Sequence, residues 1–220
     1  MEYETDPPMS YSNLPALCHR EASALLIIDV QTRLAAAMPT AARERVVHNS
    51  GILIEAATQL GIPILHTEQY PQGLGPTEPV LAERLAGHAQ RLEKTSFSCC
   101  DAAGFDAAAC AEQRTQWILC GMEAHVCVLQ TALELRARGL EVFAVEDAVS
   151  SRTEANLHNA IARLRQAGLI VSNTESVLFE WLRDASHPQF KTLSKLIRSL
   201  RTDGAGLGVR ADLQPNIVRN

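Results

Sequence analysis

Ala24-Leu25-Leu26-Ile27-Ile28-Asp29 is an unbroken apolar run closed by a carboxylate. A strand that alternates apolar and polar residues keeps one wet face, whereas a short continuous run is buried on both, as in a parallel sheet covered by helices. Asp29 then falls at the carboxyl edge of its strand, where open α/β sheets carry their sites. Working outward, Ala41 to Leu60 places Val46, Val47, Leu53, Ile54, Ala57 and Leu60 on a helical stripe, and Gly61 stops it before Ile62-Pro63-Ile64-Leu65. The order therefore opens β, α, β.

Tyr70 to Pro79, with three prolines and two glycines, reads as a loop that walls a pocket at the end of the second strand. Gln116 to Cys120 is a further buried strand, and Gly121 turns the chain into a helical pattern from Val126 to Arg138, closed by Gly139. A strand at Glu141 to Val145, a helix at Glu154 to Ala167 ended by Gly168, and a strand at Leu169 to Val171 follow, with helical patterns at Ser176 to Arg183 and Phe190 to Arg201. Such alternation predicts a mostly parallel sheet with helices on both faces. The expected organisation is an N-terminal extension over 1–21, one domain over 22–201 and a flexible tail over 202–220, which has glycines but no apolar period.

A formal net charge of -5 argues against nucleic-acid binding, which needs a concentrated basic face. The opening stretch has no basic start and no apolar core of a secretory signal, and Leu25 to Ile28 is too short to cross a bilayer. The expected location is cytoplasmic, with no membrane partner. Six cysteines without regular spacing read as reduced thiols, and no CxxC or HxxxH pairing is present to close a zinc site. No GxGxxG follows the first strand, which argues against a dinucleotide cofactor.

Gly121-Met122-Glu123-Ala124-His125-Val126-Cys127-Val128 spans a change from strand to helix. A thiol in the first helical turn meets the positive end of the macrodipole and unpaired N–H groups, which favour the thiolate and also suit a developing oxyanion. Cys127 is therefore the candidate nucleophile, against the plainer reading of a small buried filler. Asp29, embedded in apolar sequence, needs a polar partner. Lys94, in Arg91-Leu92-Glu93-Lys94-Thr95-Ser96-Phe97, is a candidate cation at the end of a short strand, against the plainer reading of a solvated lysine.

Together these segments resemble the isochorismatase-like cysteine hydrolase superfamily. The likeness runs from Ala22 to Arg201 and includes Glu93-Lys94-Thr95-Ser96-Phe97-Ser98, Glu146-Asp147-Ala148-Val149-Ser150-Ser151-Arg152 and Thr174-Glu175-Ser176-Val177-Leu178-Phe179. Glu68-Gln69-Tyr70-Pro71-Gln72-Gly73-Leu74-Gly75-Pro76-Thr77 is similar to the branch called isochorismatase domain-containing proteins. The resemblance implies a three-layer α/β/α sandwich and a catalytic triad of Asp29, Lys94 and Cys127, with Asp29 as base, Lys94 as orienting cation and Cys127 as nucleophile. It also implies oxyanion donors at the backbone of Glu123 and Cys127, a cis peptide between Met122 and Glu123, and a homo-oligomer. The implied reaction is hydrolysis of a small amide-type or related C–N substrate through a thioester-type intermediate. Members that open the isochorismate vinyl ether need no cysteine nucleophile, so Cys127 points to the amide side.

Nicotinamidase members hold a metal through an aspartate and histidines after the second strand. Here His66-Thr67-Glu68-Gln69-Tyr70 has no matching second histidine, so neither a catalytic metal nor another cofactor is expected. Glu68, Gln69, Tyr70 and Phe97 are the expected substrate contacts. His125 reads as a turn or surface residue and Cys120 as strand packing, with no role assigned to Cys99 or Cys100; Phe179 and Trp181 are expected in the core or a subunit interface. Two other readings stand beside the hydrolase: a catalytically silent interaction scaffold, and a thiol redox protein, the latter weakened by the missing CxxC.

Overall fold

A computed structural model describes residues 17–200. The expected tail over 202–220 and residues 1–16 of the expected extension lie outside the described residues. Along the chain come β1 (Ser23–Ile28), α1 (Thr32–Ala36), α2 (Thr40–Leu60), β2 (Ile64–Gln69), α3 (Pro71–Leu74), α4 (Pro79–Leu85), β3 (Ala89–Lys94) and α5 (Phe105–Glu112). They are followed by β4 (Gln116–Met122), α6 (Leu129–Ala137), β5 (Glu141–Ser150), α7 (Glu154–Gln166), β6 (Ile170–Ser172), α8 (Thr174–Leu182) and α9 (Phe190–Ile197). The strands form one parallel sheet in the order β3-β2-β1-β4-β5-β6. Strand order reverses between β1 and β4, which opens a crevice at their carboxyl ends.

The opening apolar run explains the layering. Successive side chains of a strand point to opposite faces. Leu25 and Ile27 pack with Leu53 of α2, Leu81 of α4, Trp181 of α8 and Leu193 of α9. Ala24, Leu26 and Ile28 join Phe105 of α5, Leu129 of α6 and Leu164 of α7 on the other side. Each leucine or isoleucine so buried contributes about 1.5–3 kcal/mol. The result is the three-layer α/β/α sandwich, with β1 at its centre. Trp181 is a core residue whose indole N–H donates to Ser23 Oγ at 2.9 Å, and Phe179 packs on Phe190 with ring centroids 6.2 Å apart.

The structure departs from the sequence reading in four places. β5 runs on to Ser150, because the polar Glu146-Asp147 pair that interrupts the apolar signal sits where the β4–β5 register shifts. Asp147 is occupied there, accepting from both the backbone N–H and the hydroxyl of Thr174 at 2.8 Å. The expected 70–79 loop contains the short α3 and a bridge between Gln31 and Thr77. The short helices α1, α4 and α5 are additions to the expected order. Finally, residues 17–21 belong to the packed body: Cys18 is fully buried with its N–H on Glu180 at 2.7 Å, and His19 N–H meets Gln116 Oε1 at 2.7 Å.

Candidate active site

The carboxyl ends of β1 and β4 approach so closely that a Cβ on Gly121 would lie 2.0 Å from the Ile28 carbonyl oxygen. Gly121 also has φ +135, so glycine is required here on both counts. The next peptide, Met122–Glu123, is cis. On the facing strand, Asp29 leaves β1 with φ 51, a left-handed backbone that few residues besides glycine, asparagine and aspartate adopt. These two turns aim Asp29 and the segment after β4 at one point.

Lys94, at the end of β3, reaches the same point across β2. Its Nζ donates to Asp29 Oδ2 at 2.6 Å and to Gln69 Oε1 at 2.7 Å, with longer contacts to the Phe97 and Ser96 carbonyls at 3.2 and 3.3 Å. The other carboxylate oxygen of Asp29 accepts from Thr67 Oγ1 at 2.7 Å. Gln69 is itself fixed: its Nε2 donates to the Thr95 carbonyl at 2.7 Å, and Gln31 clamps its backbone at both N–H and C=O. Burial alone would lower the Lys94 pKa, but the Asp29 carboxylate and the thiols of Cys99 and Cys127 hold it above its usual value.

Cys127 lies in a π-helical turn, Ala124–Val128, that feeds α6. Such insertions are frequent at functional sites. Its thiol lies within the electrostatic reach of the Asp29 carboxylate and the Lys94 ammonium. The expectation of a depressed thiol pKa is corrected: burial pushes it up, the Asp29 charge pushes it further, and Lys94 opposes only in part. The group therefore rests as a neutral thiol beside a base. Cys99 is also near: its N–H donates to Thr131 Oγ1 at 2.9 Å, which in turn donates to the Cys127 carbonyl at 2.7 Å. Burial pushes the Cys99 thiol up to about 12.

A cavity of about 320 Å³ opens onto Cys127, lined also by Leu34, Gln69, Phe97, Glu123 and Arg152. Among the described cysteines, Cys127 is the one that lines it. Of the four expected substrate contacts, Gln69 and Phe97 line this space and Glu68 and Tyr70 do not. Period-two geometry separates the first pair: Thr67 and Gln69 share the side of Leu65, while Glu68 shares the side of Ile64. Glu68 accepts from the Thr77 N–H at 2.7 Å and its hydroxyl at 2.8 Å, and pairs with Arg91 at 3.0 Å, so it anchors the 70–79 segment. Tyr70 is exposed, with its ring lying over Gly73.

The isochorismatase domain model matches residues 23–176, most of the described body. The chain belongs to the isochorismatase family. Isochorismatase domain-containing protein 2 of Danio rerio is 43% identical over 177 residues, which is 80% of this chain and 86% of that protein. Its counterpart in Bos taurus is 40% identical over 171 residues, 78% of this chain and 82% of the relative. Among solved structures, the MAR1 ribonuclease of Caenorhabditis elegans superposes with a TM-score of 0.80 at 39% identity, covering 87% of this chain and 97% of that one.

Within this isochorismatase domain, the sequence reading missed Thr67, Gln31 and the side chains of Glu123 and Arg152. A period-two reading of β2 would have found Thr67 once Gln69 was placed; Gln31 and Arg152 meet the site only through tertiary contacts. His125 is more than a turn residue: its Nδ1 lies 3.0 Å from Ser151 Oγ and 3.2 Å from Glu123 Oε2. Among the described residues, no three histidine, cysteine or acidic side chains converge on a metal position. His66 is buried on the Glu68 side of β2, away from the cavity. No helix among the described residues is long and apolar enough to cross a membrane.

Proposed function

We propose that this isochorismatase-family protein is a cysteine-dependent hydrolase of small amide-type or related C–N substrates. One observation carries the reading: the Cys127 thiol lines the cavity and feels the charge of a buried carboxylate, Asp29, that Lys94 and Thr67 hold from its two oxygens. A neutral thiol beside an oriented base suits attack coupled to proton transfer. As Cys127 Sγ bonds to the carbonyl carbon, Asp29 takes the thiol proton, and the oxyanion is received by the backbone N–H groups of Glu123 and Cys127. The C–N bond breaks as the nitrogen collects that proton from Asp29, leaving a thioester. Water then attacks the thioester, giving its proton through Asp29 to the departing sulfur. Lys94 remains charged and holds Asp29 in place throughout.

The acidic balance of the chain and the size of the cavity favour a small molecule over RNA, the substrate named for the nematode relative. Self-association belongs to the same reading, supported by the exposed Tyr70, Val80 and Phe97. The test is ammonia release from a panel of small amides, ureas and ring-opened imides, with homopolymer RNA as a parallel substrate. Turnover by the unaltered protein, loss of at least about 10³-fold in Cys127→Ser, and an acyl adduct on Cys127 by mass spectrometry are expected. Amide turnover that survives Cys127→Ser, or cleavage of RNA alone, overturns the assignment.

A further inference from the structure

The cavity mouth carries two arginines, Arg33 and Arg152, an arrangement that at first sight invites a carboxylate. Both are largely in solvent, and both are engaged. Arg33 Nη1 donates to the Gly73 carbonyl at 2.8 Å, and Arg152 Nε sits 2.6 Å from Glu123 Oε1. The Arg152 side chain is 60% exposed, whereas that of Glu123 is 7% exposed. Water and salt screen exposed charges far more than buried ones, so the field inside the cavity follows Glu123 rather than the arginines. Arg152 approaches Oε1 of Glu123 at 2.6 Å and the His125 ring approaches Oε2 at 3.2 Å, one contact to each oxygen, which leaves lone pairs on both. A buried carboxylate with spare lone pairs can accept from an N–H that enters beside it.

We propose that the Glu123 side chain is the specificity-determining acid of this cavity, admitting small uncharged or cationic amides that present an N–H to it and rejecting amides that bear a carboxylate. The placement of Glu123 follows from the chain itself. It is the residue that leaves β4 before the π-helical turn, so its side chain and Cys127 enter the same space from one short segment. Arg152, supplied from just beyond β5, contacts Oε1 of Glu123 from a side chain that is 60% exposed, so solvent screens its charge more than that of Glu123. The inference rests on Cys127 being the reactive group of the cavity, and its readout is separate from turnover.

The probes are iodoacetamide and iodoacetate, matched alkylating agents that differ in an amide N–H against a carboxylate. Both transfer a carbon to sulfur with loss of iodide, and their relative rates at Cys127 are read by peptide mass spectrometry, with reduced glutathione as the solvent-exposed reference. In the full-length protein Cys127 is expected to favour iodoacetamide over iodoacetate more strongly than glutathione does. Glu123→Gln, which keeps shape and removes charge, is expected to shift that ratio roughly tenfold towards iodoacetate, and Arg152→Gln to shift it the other way. The second variant supplies an opposite sign if the first folds poorly. A ratio unmoved in both variants, or a native Cys127 that favours iodoacetate relative to glutathione, overturns the proposal. Hydrolysis of succinamide against succinamate separates the two readings. If no member of the amide, urea and imide panel is cleaved while the ratio still responds to Glu123→Gln, the hydrolase assignment fails and the role of Glu123 stands.

Discussion

Lys94 Nζ lies 2.6 Å from Asp29 Oδ2, and both side chains are wholly sequestered from solvent. Such a pair costs desolvation on both partners, so its integrity depends on keeping both. Lys94→Met leaves a buried carboxylate with a single hydroxyl donor, and is expected to destabilise the fold by about 3–5 kcal/mol as well as abolish turnover. Asp29→Leu combined with Lys94→Met is expected to recover much of the stability and none of the activity. Urea unfolding of the two single variants and the double variant checks this, and strictly additive losses count against a coupled pair.

Gln69 and Glu68 are neighbours with opposite tasks. Gln69→Leu removes the second acceptor on Lys94, and is expected to lower kcat about 10²-fold with little change in the unfolding midpoint, because misplacing a reacting group is costly to rate. Glu68→Gln weakens the hold on Thr77, and is expected to cost about 1–3 kcal/mol of stability with KM nearly unchanged. Limited proteolysis within 70–78 should rise for the Glu68 variant only. A Glu68 variant with raised KM and native stability reverses this assignment.

Gly121→Ala is expected to destabilise by about 3 kcal/mol or more, since the new Cβ meets backbone rather than a movable side chain. Gly61→Ala provides the comparison. Its φ is +67, but nothing lies within 4 Å of the added carbon, so only backbone strain remains. Thermal unfolding of both variants is the measurement; equal losses would mean the β1–β4 approach is not the cause.

Alkaline pH should weaken the fold through its buried thiols. Burial pushes Cys99 and Cys120 each from 9.0 up to about 12, and Cys100 up to about 11. In the unfolded chain these thiols lose protons first, so the folded state binds more protons between pH 9 and 12 and stability falls as pH rises. Lys94, raised by its partners, acts in the same direction. Each fully buried thiol removes at most about 1.4 kcal/mol per pH unit in that window. The urea midpoint is expected to fall from pH 8 to pH 10, less steeply in Cys120→Ala; a flat profile contradicts the burial of these thiols as ionisable groups.

The sequence by itself determined the layers and the edge at which the site lies. An unbroken apolar run at 24–28 demands cover on both faces, and stripes closed by glycine supply the helices that provide it. It also marked Asp29 as a carboxylate closing an apolar run and Cys127 as a thiol just past a strand-to-helix turn, whereas Lys94 gained its expected role from the family resemblance of its segment. Tertiary structure decided everything that depends on which side of a strand a residue faces and on what arrives from elsewhere in the chain. Glu68 left the cavity and Thr67 joined the site because β2 alternates; Gln31 and Arg152 reached it from segments with no local mark. The direction in which the Cys127 pKa moves was decided there too, since the burial and the neighbouring carboxylate that push it up are properties of the assembled sheet edge.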